Sequence, residues 1–412
     1  MFNLNKMISS LKYLTIKDFV SIIIFVFIFP FAQLYKAYLF ICKKELWLFS
    51  EGKNDAKDNA YCLYRYVREK YPLINAYYAI DTKTDQYKNV KMYGNIVNFG
   101  SLKHWLFYLA ATKNISNHKS ANPNPPLFYI LHANKLVNGH RIFLQHGITI
   151  NNVDYLHYDL TKFELFVCAA QREYEYVKQN FGYPKKNIAL LGFPRFDYLE
   201  SQHIRNQIVI MPTWRSWLGR DLNALSKPIN FINSNFYKTY QNLLNSAELN
   251  DVLEANDAVA YFYLHENMQK YIEKFSTLFD RVRIVSQKEY DIRRLLRESS
   301  LMISDYSSVT IDFAYMDKPV IYYQFDESKY RKHQLSPAYF SYRSDGFGPV
   351  VKNKKAVIDT IRKYCSNNYL REDKYIINNK SFFNTKDLKN SERIFNKLID
   401  LEGSKKISLC RD

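Results

Sequence analysis

The stretch from Ser286 to Asp326, SQKEYDIRRLLRESSLMISDYSSVTIDFAYMDKPVIYYQFD, decides the fold of this chain. Leu301 to Ser304 is a short apolar run bounded by polar residues, as is typical of a central parallel strand. A hydroxyl-rich turn follows, and Ser307 to Tyr315 then shows the apolar spacing of a helix. This succession of helix, buried strand, turn and helix indicates an α/β fold with parallel strands.

The turn Asp305-Tyr306-Ser307-Ser308 predicts an anion site. In an open α/β sheet, ligands bind at the carboxyl ends of the strands, where a helix N-terminus presents unpaired N–H groups that suit phosphate. Asp305 could orient Ser307 or His265, or bind hydroxyl groups of a ligand, although an Asp that opens a turn often bonds only its own backbone. Ser307 or Ser308 could instead cap the following helix, and capping and phosphate binding are compatible.

Composition indicates two domains and an anionic partner. A chain of 412 residues exceeds what one hydrophobic core usually serves. The formal charge of +18, from 58 Lys and Arg against 40 Asp and Glu, implies nucleic acid, anionic lipid or a phosphorylated substrate. Because the sequence lacks a basic recognition helix, an RNP-like strand and zinc ligands, we predict no nucleic-acid partner. The five cysteines are scattered without a Cys-x-x-Cys pair, which disfavours a disulfide framework or zinc site and suits a reducing compartment.

Alternating elements predict two Rossmann-like domains that meet after the turn Gly192 to Arg195. In the first series, the predicted strands are the apolar runs Trp47 to Phe49, Tyr77 to Ile80, Ile142 to Leu144, Leu165 to Ala169 and Ile188 to Leu191. In the second series, the predicted strands are Ile208 to Met211, Val259 to Leu264, Val282 to Val285, Leu301 to Ser304 and Val320 to Tyr323. The helices predicted between these last strands are Asn235 to Leu249, Glu266 to Phe279, Asp291 to Glu298 and Ser307 to Tyr315.

The N-terminal segment Phe19 to Phe31, FVSIIIFVFIFPF, is predicted to associate with a membrane. The uninterrupted apolar run is shorter than the roughly 20 residues that span a bilayer, and Pro30 lies within it. No small-residue cleavage site follows, so a signal peptide fits poorly. We therefore predict a monotopic or re-entrant anchor, with a single spanning helix as the next interpretation and a buried core helix as the third. The lysines expected near headgroups are Lys6, Lys12, Lys17, Lys43 and Lys44.

Two histidines are candidates for chemistry. His146 follows the apolar run Ile142 to Leu144 and precedes Gly147, so we expect it at the carboxyl end of a strand. A histidine there can act as a general base, because its unperturbed pKa near ~6.5 allows it to take a proton at neutral pH. A hydrogen-bonded turn histidine is the alternative. His265 closes a predicted strand, where it could bond a pyrophosphate or simply cap the next helix.

Thr213 and Arg215 follow a predicted strand in the block MPTWR, where a phosphorylated ligand would lie. Arginine suits phosphate because its planar guanidinium donates two parallel hydrogen bonds, although an exposed surface arginine is the alternative. Asp326 is a further candidate at the end of another strand. Asp58-Asn59 is interpreted chiefly as the N-cap of the helix that begins there.

Six ordered blocks resemble the CDP-glycerol glycerophosphotransferase family, whose members build teichoic acids and related capsule polymers. These blocks span roughly Lys43 to Asp326, and their order and spacing make the resemblance specific. They are KKELWLFSEGKNDAKDNAYCLYRYVREKYPLINAYYAI, FGSLKHWLFYLAATKNISNH, FLQHGIT, LLGFPRFDYL, VIMPTWRSWL and SDYSSVTIDFAYMDKPVIYYQFD. The chain departs from many members where Ile148-Thr149 follows His146-Gly147 in place of Thr-Pro.

The resemblance implies a GT-B-like α/β fold, with two Rossmann-like domains facing across a cleft and an N-terminal membrane-associated segment. We place the membrane segment at residues 1–45, the acceptor domain at 46–200, the CDP-donor domain at 201–365 and a C-terminal helical tail at 366–412. The resemblance assigns the base role to His146 and donor-phosphate contact to His265. It also implies acceptor-side residues Gly147, Asp58 and Asn59, and donor-binding residues Thr213, Arg215, Asp305, Ser307, Ser308 and Asp326.

The resemblance further implies transfer of glycerol phosphate from CDP-glycerol, or another CDP-polyol, to a lipid-linked or polymeric acceptor at the cytoplasmic face of the cell membrane. CMP would be the leaving group. The sequence contains no acidic metal motif, so no cofactor or metal site is predicted, although Mg²⁺ can accompany a donor pyrophosphate. The alternatives are a GT-B glycosyltransferase that uses a nucleotide sugar, since fold does not fix the transferred group, and a non-catalytic basic membrane scaffold.

Overall fold

The computed structural model describes residues 15–133, 137, 140–199, 204–219, 230–334, 338–383 and 385–401. The chain divides into two compact units. The first contains the chain up to Ile148, Val153–Tyr198 and the chain from Asp387 onward, and the second contains Thr149–Asn152 and Leu199–Lys386. Each unit is built on a parallel sheet with flanking helices, as the predicted α/β class requires.

The first unit holds a seven-stranded parallel sheet with the order β3-β2-β1-β4-β5-β6-β7. Its strands are β1 Trp47–Ser50, β2 Ala76–Ile80, β3 Ile96–Asn98, β4 Lys113–Ser116, β5 His140–Phe143, β6 Leu165–Cys168 and β7 Ile188–Leu190. Its helices are α1 Ile16–Ile41, α2 Asn59–Lys70, α3 Tyr87–Lys91, α4 Leu102–Ala110, α5 Pro125–Ala133, α6 Tyr158–Thr161 and α7 Gln171–Asn180, with 3₁₀ turns Asp154–Leu156, Lys185–Asn187 and Pro194–Tyr198.

Two strands of this sheet, β3 and β4, were not predicted, because β3 has only three residues and polar residues hide the apolar pattern of β4. The strand β4 reads Lys-Asn-Ile-Ser, yet its residues lie in the centre of the sheet between β1 and β5. The side chain of Lys113 is fully buried there, and its Nζ donates to Glu45 Oε2 at 2.8 Å. A buried lysine is tolerated when a carboxylate pairs with it, so a charged residue in a run does not exclude a central strand.

The second unit holds a six-stranded parallel sheet with the order β10-β9-β8-β11-β12-β13. Its strands are β8 Gln207–Ile210, β9 Val259–Tyr263, β10 Val282–Val285, β11 Leu301–Ser304, β12 Val320–Tyr323 and β13 Val350–Val351. Its helices are α8 Ser216–Gly219, α9 Asn235–Leu244, α10 Ala247–Ala255, α11 Ile292–Glu298, α12 Val309–Tyr315, α13 Glu327–His333, α14 Lys354–Ser366 and α15 Asp373–Phe382, with 3₁₀ turns Phe231–Asn233 and Glu266–Lys274.

The predicted strands of the second unit are found, and two of its predicted helices differ. The predicted helix Asn235 to Leu249 is two helices, because α9 ends at Leu244 and Ser246 begins α10. The predicted helix Glu266 to Phe279 is a 3₁₀ segment that ends at Lys274. It opens with the tighter three-residue hydrogen bond from Met268 N to His265 O at 2.7 Å. The short edge strand β13 was not predicted.

The apolar helix α1 runs unbroken through Pro30, so the sequence argument that Pro30 interrupts it is wrong. Its stretch Asp18–Ile41 has 24 residues and a mean hydropathy of 2.0, and it is long and apolar enough to cross a membrane. Only 17% of this stretch is buried inside the protein, which disfavours the buried core helix. One face packs on α4, through buried Ile28, Ala32 and Leu39, while large apolar side chains elsewhere on the helix stay exposed.

The last described helix, α16 Asn390–Asp400, belongs to the first unit. The carboxylate of Asp197 fixes its start by accepting from Asn390 N at 2.9 Å and Ser391 N at 2.7 Å. Phe395 then enters the core of the first unit and stacks on Tyr71 at 3.9 Å between ring centroids. The predicted tail 366–412 is therefore divided, with α15 in the second unit and α16 in the first.

Candidate active site

Four chain segments of the first unit bring polar side chains to the carboxyl edge of its sheet. Asp58 follows β1, His118 follows β4, His146 follows β5 and Arg195 follows β7. The carboxyl ends of parallel strands share one edge of a sheet, and ligands bind there in open α/β folds. The first three of these strands are neighbours in the sheet.

Asp58 is the centre of this cluster. Its Oδ1 accepts from Arg195 Nη1 and from the backbone N of Asn59, both at 2.8 Å, and its Oδ2 accepts from Asn117 Nδ2 at 2.8 Å. The predicted N-cap role of Asp58 is thus present, because it begins α2. In addition to this N-cap role, Asp58 forms an ion pair with Arg195, which lies 137 positions away in the sequence. Burial acts to raise the pKa of Asp58, but the charges of Arg195 and His146 outweigh it and lower the pKa.

A buried carboxyl lies behind Asp58. Glu51 is 2% exposed, and its two oxygens accept from the backbone N atoms of Lys57, Asp58 and Tyr61 at 2.8–3.0 Å. These bonds fix the loop that carries Asp58. Burial and the charge of Asp58 raise the pKa of Glu51 to about 8, against the opposing effect of the backbone donors.

His146 presents an exposed imidazole on a backbone that is held firmly. Gln145 has a positive φ of 55°, and its amide donates to Val167 O at 2.7 Å. Asn59 Nδ2 donates to Gln145 O at 2.7 Å, and Arg195 Nη1 donates to His146 O at 2.8 Å. The imidazole stacks on His118, with ring centroids 4.9 Å apart. An accessible imidazole on a fixed backbone meets the geometric requirement for a general base.

The structure brings together all four residues predicted on this side, namely His146, Gly147, Asp58 and Asn59. It adds Glu51, Asn117, His118 and Arg195, which the sequence did not single out. His118 and Asn117 end one of the family-like blocks, and Arg195 lies in the GFPR turn of another. Their position just after strands was the available signal, but the strand β4 itself was not predicted.

In the second unit, the carboxyl edge of the sheet carries a buried ion-pair cluster around Arg215. Its Nε and Nη2 donate to the two oxygens of Asp326 at 2.9 and 3.0 Å, and Nη2 also donates to Asp305 Oδ2 at 2.7 Å. Its Nη1 donates to Thr213 O at 2.7 Å. The side chains of Arg215 and Asp305 are fully buried, and that of Asp326 is 7% exposed.

In this geometry the guanidinium of Arg215, which was predicted to contact a donor phosphate, is bound to protein oxygens. Every guanidinium nitrogen already donates to a protein oxygen, and no part of the side chain is exposed. Burial lowers the pKa of Arg215, but the charges of Asp305 and Asp326 outweigh burial and raise it, so the cation is held permanently. Arg215, Asp305 and Asp326 therefore link the loops of the second unit to one another.

Asp305 links these loops to the hydroxyl-rich turn. Its Oδ1 accepts from the backbone N atoms of Thr213 at 2.8 Å and Tyr306 at 2.7 Å, so it does bond its own turn as the simpler interpretation expected. Thr213 is 7% exposed, and its Oγ1 accepts from Tyr306 N at 3.3 Å. The predicted donor residues Thr213 and Asp305 thus lie together behind the turn.

The two serines of the turn have different environments. Ser307 is mostly buried, and its Oγ accepts from Val309 N at 3.3 Å, which is a capping interaction. Ser308 precedes α12, and its side chain makes no capping hydrogen bond. The helix begins at Val309 and not at Ser307 as predicted. Of the two, Ser308 has the hydroxyl that remains available to a ligand at this edge.

His265 ends the strand β9 and begins the 3₁₀ segment, with its Nδ1 accepting from Asn267 N at 3.2 Å. The capping role that the sequence allowed is therefore present. The ring is partly exposed and lies 6.3 Å from the Trp214 ring, between centroids. Among the described residues, no group of three or more His, Cys, Asp or Glu side chains is placed to hold a metal ion.

Comparison with known proteins identifies the family. The family model described as CDP-glycerol:poly(glycerophosphate) glycerophosphotransferase matches residues 32–400. The chain belongs to this family. The family predicted from the sequence blocks is thereby confirmed for most of the length of the chain.

Two curated proteins illustrate the likeness of this family member. It is 34% identical over 370 residues to the minor teichoic acid biosynthesis protein GgaB of Bacillus subtilis (strain 168), a match that covers 88% of this chain and 40% of GgaB. It is 29% identical over 202 residues to a teichoic acid glycerol-phosphate transferase of Staphylococcus aureus (strain NCTC 8325 / PS 47), covering 44% of this chain and 46% of that protein. The match spans less than half the length of either relative.

A solved structure of the wall teichoic acid polymerase TagF has a similar fold. The TM-score is 0.64 at 16% sequence identity, and the match covers 90% of this chain and 97% of that chain. At this identity, the likeness shows the fold alone. It confirms the predicted GT-B-like α/β class for this glycerophosphotransferase family member.

Proposed function

We propose that this protein transfers glycerol phosphate from CDP-glycerol to a hydroxyl group of a lipid-linked or polymeric acceptor, in the synthesis of a teichoic-acid or capsule-type polymer. The family match over residues 32–400 is the single observation that carries the proposal. The printed function of the S. aureus relative, a teichoic acid glycerol-phosphate transferase, agrees with it. A TagF variant has also been solved after a soak with CDPG.

In the proposed reaction, His146 takes the proton of the acceptor hydroxyl. The resulting oxygen attacks the phosphorus that bears glycerol, the bond from that phosphorus to the bridging oxygen breaks, and CMP leaves. The exposed imidazole, the bond from Arg195 to the backbone oxygen of His146 and the bond from Asn59 to the preceding backbone oxygen of Gln145 support this role. The lowered pKa of Asp58 keeps a negative charge near the imidazole, which favours the protonated His146 that the reaction forms.

The proposed donor contacts are His265 and Ser308, which follow the carboxyl ends of β9 and β11 on either side of β8 in the second unit, with Thr213 and Ser307 behind them. Their side chains can donate hydrogen bonds to a pyrophosphate, and such transfer depends mostly on positioning and electrostatics. Arg215, Asp305 and Asp326 are proposed to act indirectly, by fixing the loops that carry Thr213 and the Asp305–Ser308 turn. Mg²⁺ bound with the donor pyrophosphate is compatible with this scheme, although no protein ligand set for it is proposed.

We also propose that α1 anchors the protein as a monotopic helix at the cytoplasmic face of the cell membrane. One side of α1 is attached to the first unit along its length, from Asp18, which accepts from Asn124 at 2.9 Å, to buried Leu39. A helix attached in this way cannot cross a bilayer without taking α4 and α5 with it. Its exposed apolar side chains, among them Ile23, Phe27 and Leu34, would enter the membrane instead.

The test is CMP release from CDP-glycerol by the full chain in mixed lipid–detergent micelles, with a lipid-linked acceptor present or absent. CDP-ribitol and UDP-sugars are run in parallel. His146→Ala should lower the acceptor-dependent rate by about 10²–10⁴-fold, as expected for loss of a general base. His140→Ala, at the opposite end of the same strand, is the matched control and should keep the wild-type rate.

Turnover of a UDP-sugar without turnover of a CDP-polyol would refute the donor and favour the glycosyltransferase alternative. Wild-type activity in His146→Ala would refute the base. Absence of turnover with every donor, combined with tight binding to anionic vesicles, would favour the non-catalytic scaffold.

A further inference from the structure

A second cationic feature lies in the first unit, around Tyr108, whose ring packs against Phe128 of α5. A small pocket of about 10 Å³ opens there, where β1, β4 and β5 run side by side. Its lining includes Ser50, Ser116, Tyr108 and Asn114, together with two basic residues, Lys119 and Arg141. No carboxylate is among the described residues that line it.

Arg141 is a buried cation that pairs with no carboxylate of the described residues. It is 9% exposed and lies on β5, beside Asn114 of β4. Its Nη1 donates to the backbone oxygen of Thr161, and its guanidinium carbon lies 4.6 Å from the centre of the Phe163 ring. Within the described part of the chain, no Asp or Glu forms an ion pair with it. Burying an unpaired charge is costly, so a buried arginine is normally paired with an anion.

Lys119 lines the same pocket and is a second cation that no carboxylate of the described residues neutralises. Its Nζ lies 4.5 Å from the centre of the Tyr155 ring and 5.6 Å from that of Tyr129, and no carboxylate of the described residues pairs with it. Partial burial lowers the pKa of Lys119. A bound anion would offset this cost, because an opposite charge favours the protonated amine.

The pocket lies between the anchor helix and the proposed base. Tyr129 belongs to α5, and α5 packs on α1, where Asn124 Nδ2 donates to Asp18 Oδ1 at 2.9 Å and Ser21 Oγ at 3.0 Å. On the other side, Lys119 directly follows His118, whose ring stacks on His146. A group that reaches His146 from the side of α1 would therefore pass Lys119.

We propose that Lys119 and Arg141 form a phosphate-binding site that holds a phosphate group of the acceptor while its hydroxyl reaches His146. This inference rests on the proposed function for the identity of the acceptor. The pocket has room for about one water-sized atom, so it accepts one phosphoryl oxygen beside Arg141, and the rest of the phosphate sits at the mouth against Lys119. Arginine and lysine are the usual partners of phosphate.

The same phosphate chemistry could come from the acceptor, from a bulk lipid headgroup or from free phosphate. The test therefore measures binding of the full chain to phosphatidylcholine vesicles that contain either a polyprenyl phosphate or phosphatidylglycerol, with inorganic phosphate as the soluble competitor. The variants are Lys119→Gln, Lys119→Arg and the control Lys178→Gln. Lys178 also lies over a tyrosine ring, Tyr174, but on α7 and in an ion pair with Glu175.

Lys119→Gln should weaken binding to the polyprenyl-phosphate vesicles on the order of tenfold, the effect of losing one charge-assisted hydrogen bond. Lys119→Arg should restore it, and Lys178→Gln should match the wild type. In transfer assays, Lys119→Gln should raise the KM for a phosphate-bearing acceptor and leave the KM for a phosphate-free acceptor with the same hydroxyl unchanged.

If Lys119→Gln weakens binding only to phosphatidylglycerol vesicles, or only to inorganic phosphate, the phosphate site is supported but its ligand is a lipid headgroup or free phosphate. Equal affinity of Lys119→Gln and the wild type for all three phosphates would overturn the proposal and leave the pocket as a water site. Vesicle binding does not require turnover. An inactive wild type would therefore refute the proposed function, while the binding comparison would still decide whether Lys119 and Arg141 hold a phosphate.

Discussion

Replacing Arg215 by Met distinguishes two roles for this residue. The sequence predicts that it contacts the donor, whereas the structure shows it buried between Asp305 and Asp326. The substitution removes three hydrogen bonds to carboxylates, two to Asp326 and one to Asp305, and leaves both acids buried without their cation. Breaking a buried ion pair from one side costs about 3–5 kcal/mol. For a unit of this size, about 2–4 °C of melting temperature per kcal/mol gives a fall of roughly 6–20 °C.

The assay is thermal unfolding of the purified full chain, followed by near-UV circular dichroism, together with equilibrium binding of CDP-glycerol to the folded protein. Arg294→Met is the matched control. Arg294 pairs with Glu298 at 2.8 Å on the surface, where its side chain is 60% exposed, so its loss should cost less than about 1 kcal/mol. If Arg215→Met melts within about 3 °C of the wild type but binds CDP-glycerol tenfold more weakly, Arg215 is a donor ligand and the scaffold argument fails.

Three further predictions concern the first unit. Asp58→Ala should reduce acceptor-dependent CMP release by at least tenfold and leave CDP-glycerol affinity unchanged, because it releases Arg195; equal losses in both would contradict an acceptor-side role. Glu51 has a pKa of about 8 in the folded chain against 4.5 in the unfolded chain, so its contribution to stability is lost as pH rises through about 8. At 1.36 kcal/mol per pKa unit this amounts to roughly 3–5 kcal/mol. Glu51→Gln should therefore flatten the fall in melting temperature between pH 5 and pH 9, and an unchanged slope would refute the raised pKa. Ile23→Asp with Phe27→Asp should abolish vesicle flotation without lowering the melting temperature, because both side chains are exposed; retained flotation would place the membrane contact elsewhere.

Much of the fold could be predicted because its determinants are local. The strand β11 was predicted with its observed bounds, since four apolar or small residues between polar neighbours have few other uses in an α/β chain. The strand β4 was not predicted because it has polar residues whose burial depends on partners elsewhere, as Lys113 depends on Glu45. In the sequence, Pro30 disfavours a spanning helix, but α1 continues on both sides of Pro30.

The candidate site divides in the same way. His146 could be predicted at a strand end, because an apolar run followed by His-Gly is a local signal. The residue that holds its backbone, Arg195, could not be predicted, because it reaches His146 and Asp58 from 49 and 137 positions away. The sequence also placed Arg215 next to a strand end, but it did not indicate that two acids would enclose it.

The sequence by itself determined the α/β class, the family and the strand ends that carry His146, His265 and the Asp305–Ser308 turn. These follow from apolar spacing and turn chemistry over a few residues. Only the tertiary structure decided which charges are buried together, that α16 returns to the first unit, and that Lys119 and Arg141 line the same pocket. The physical reason is that ion pairing and burial depend on the order of strands in the sheet, which local periodicity does not specify.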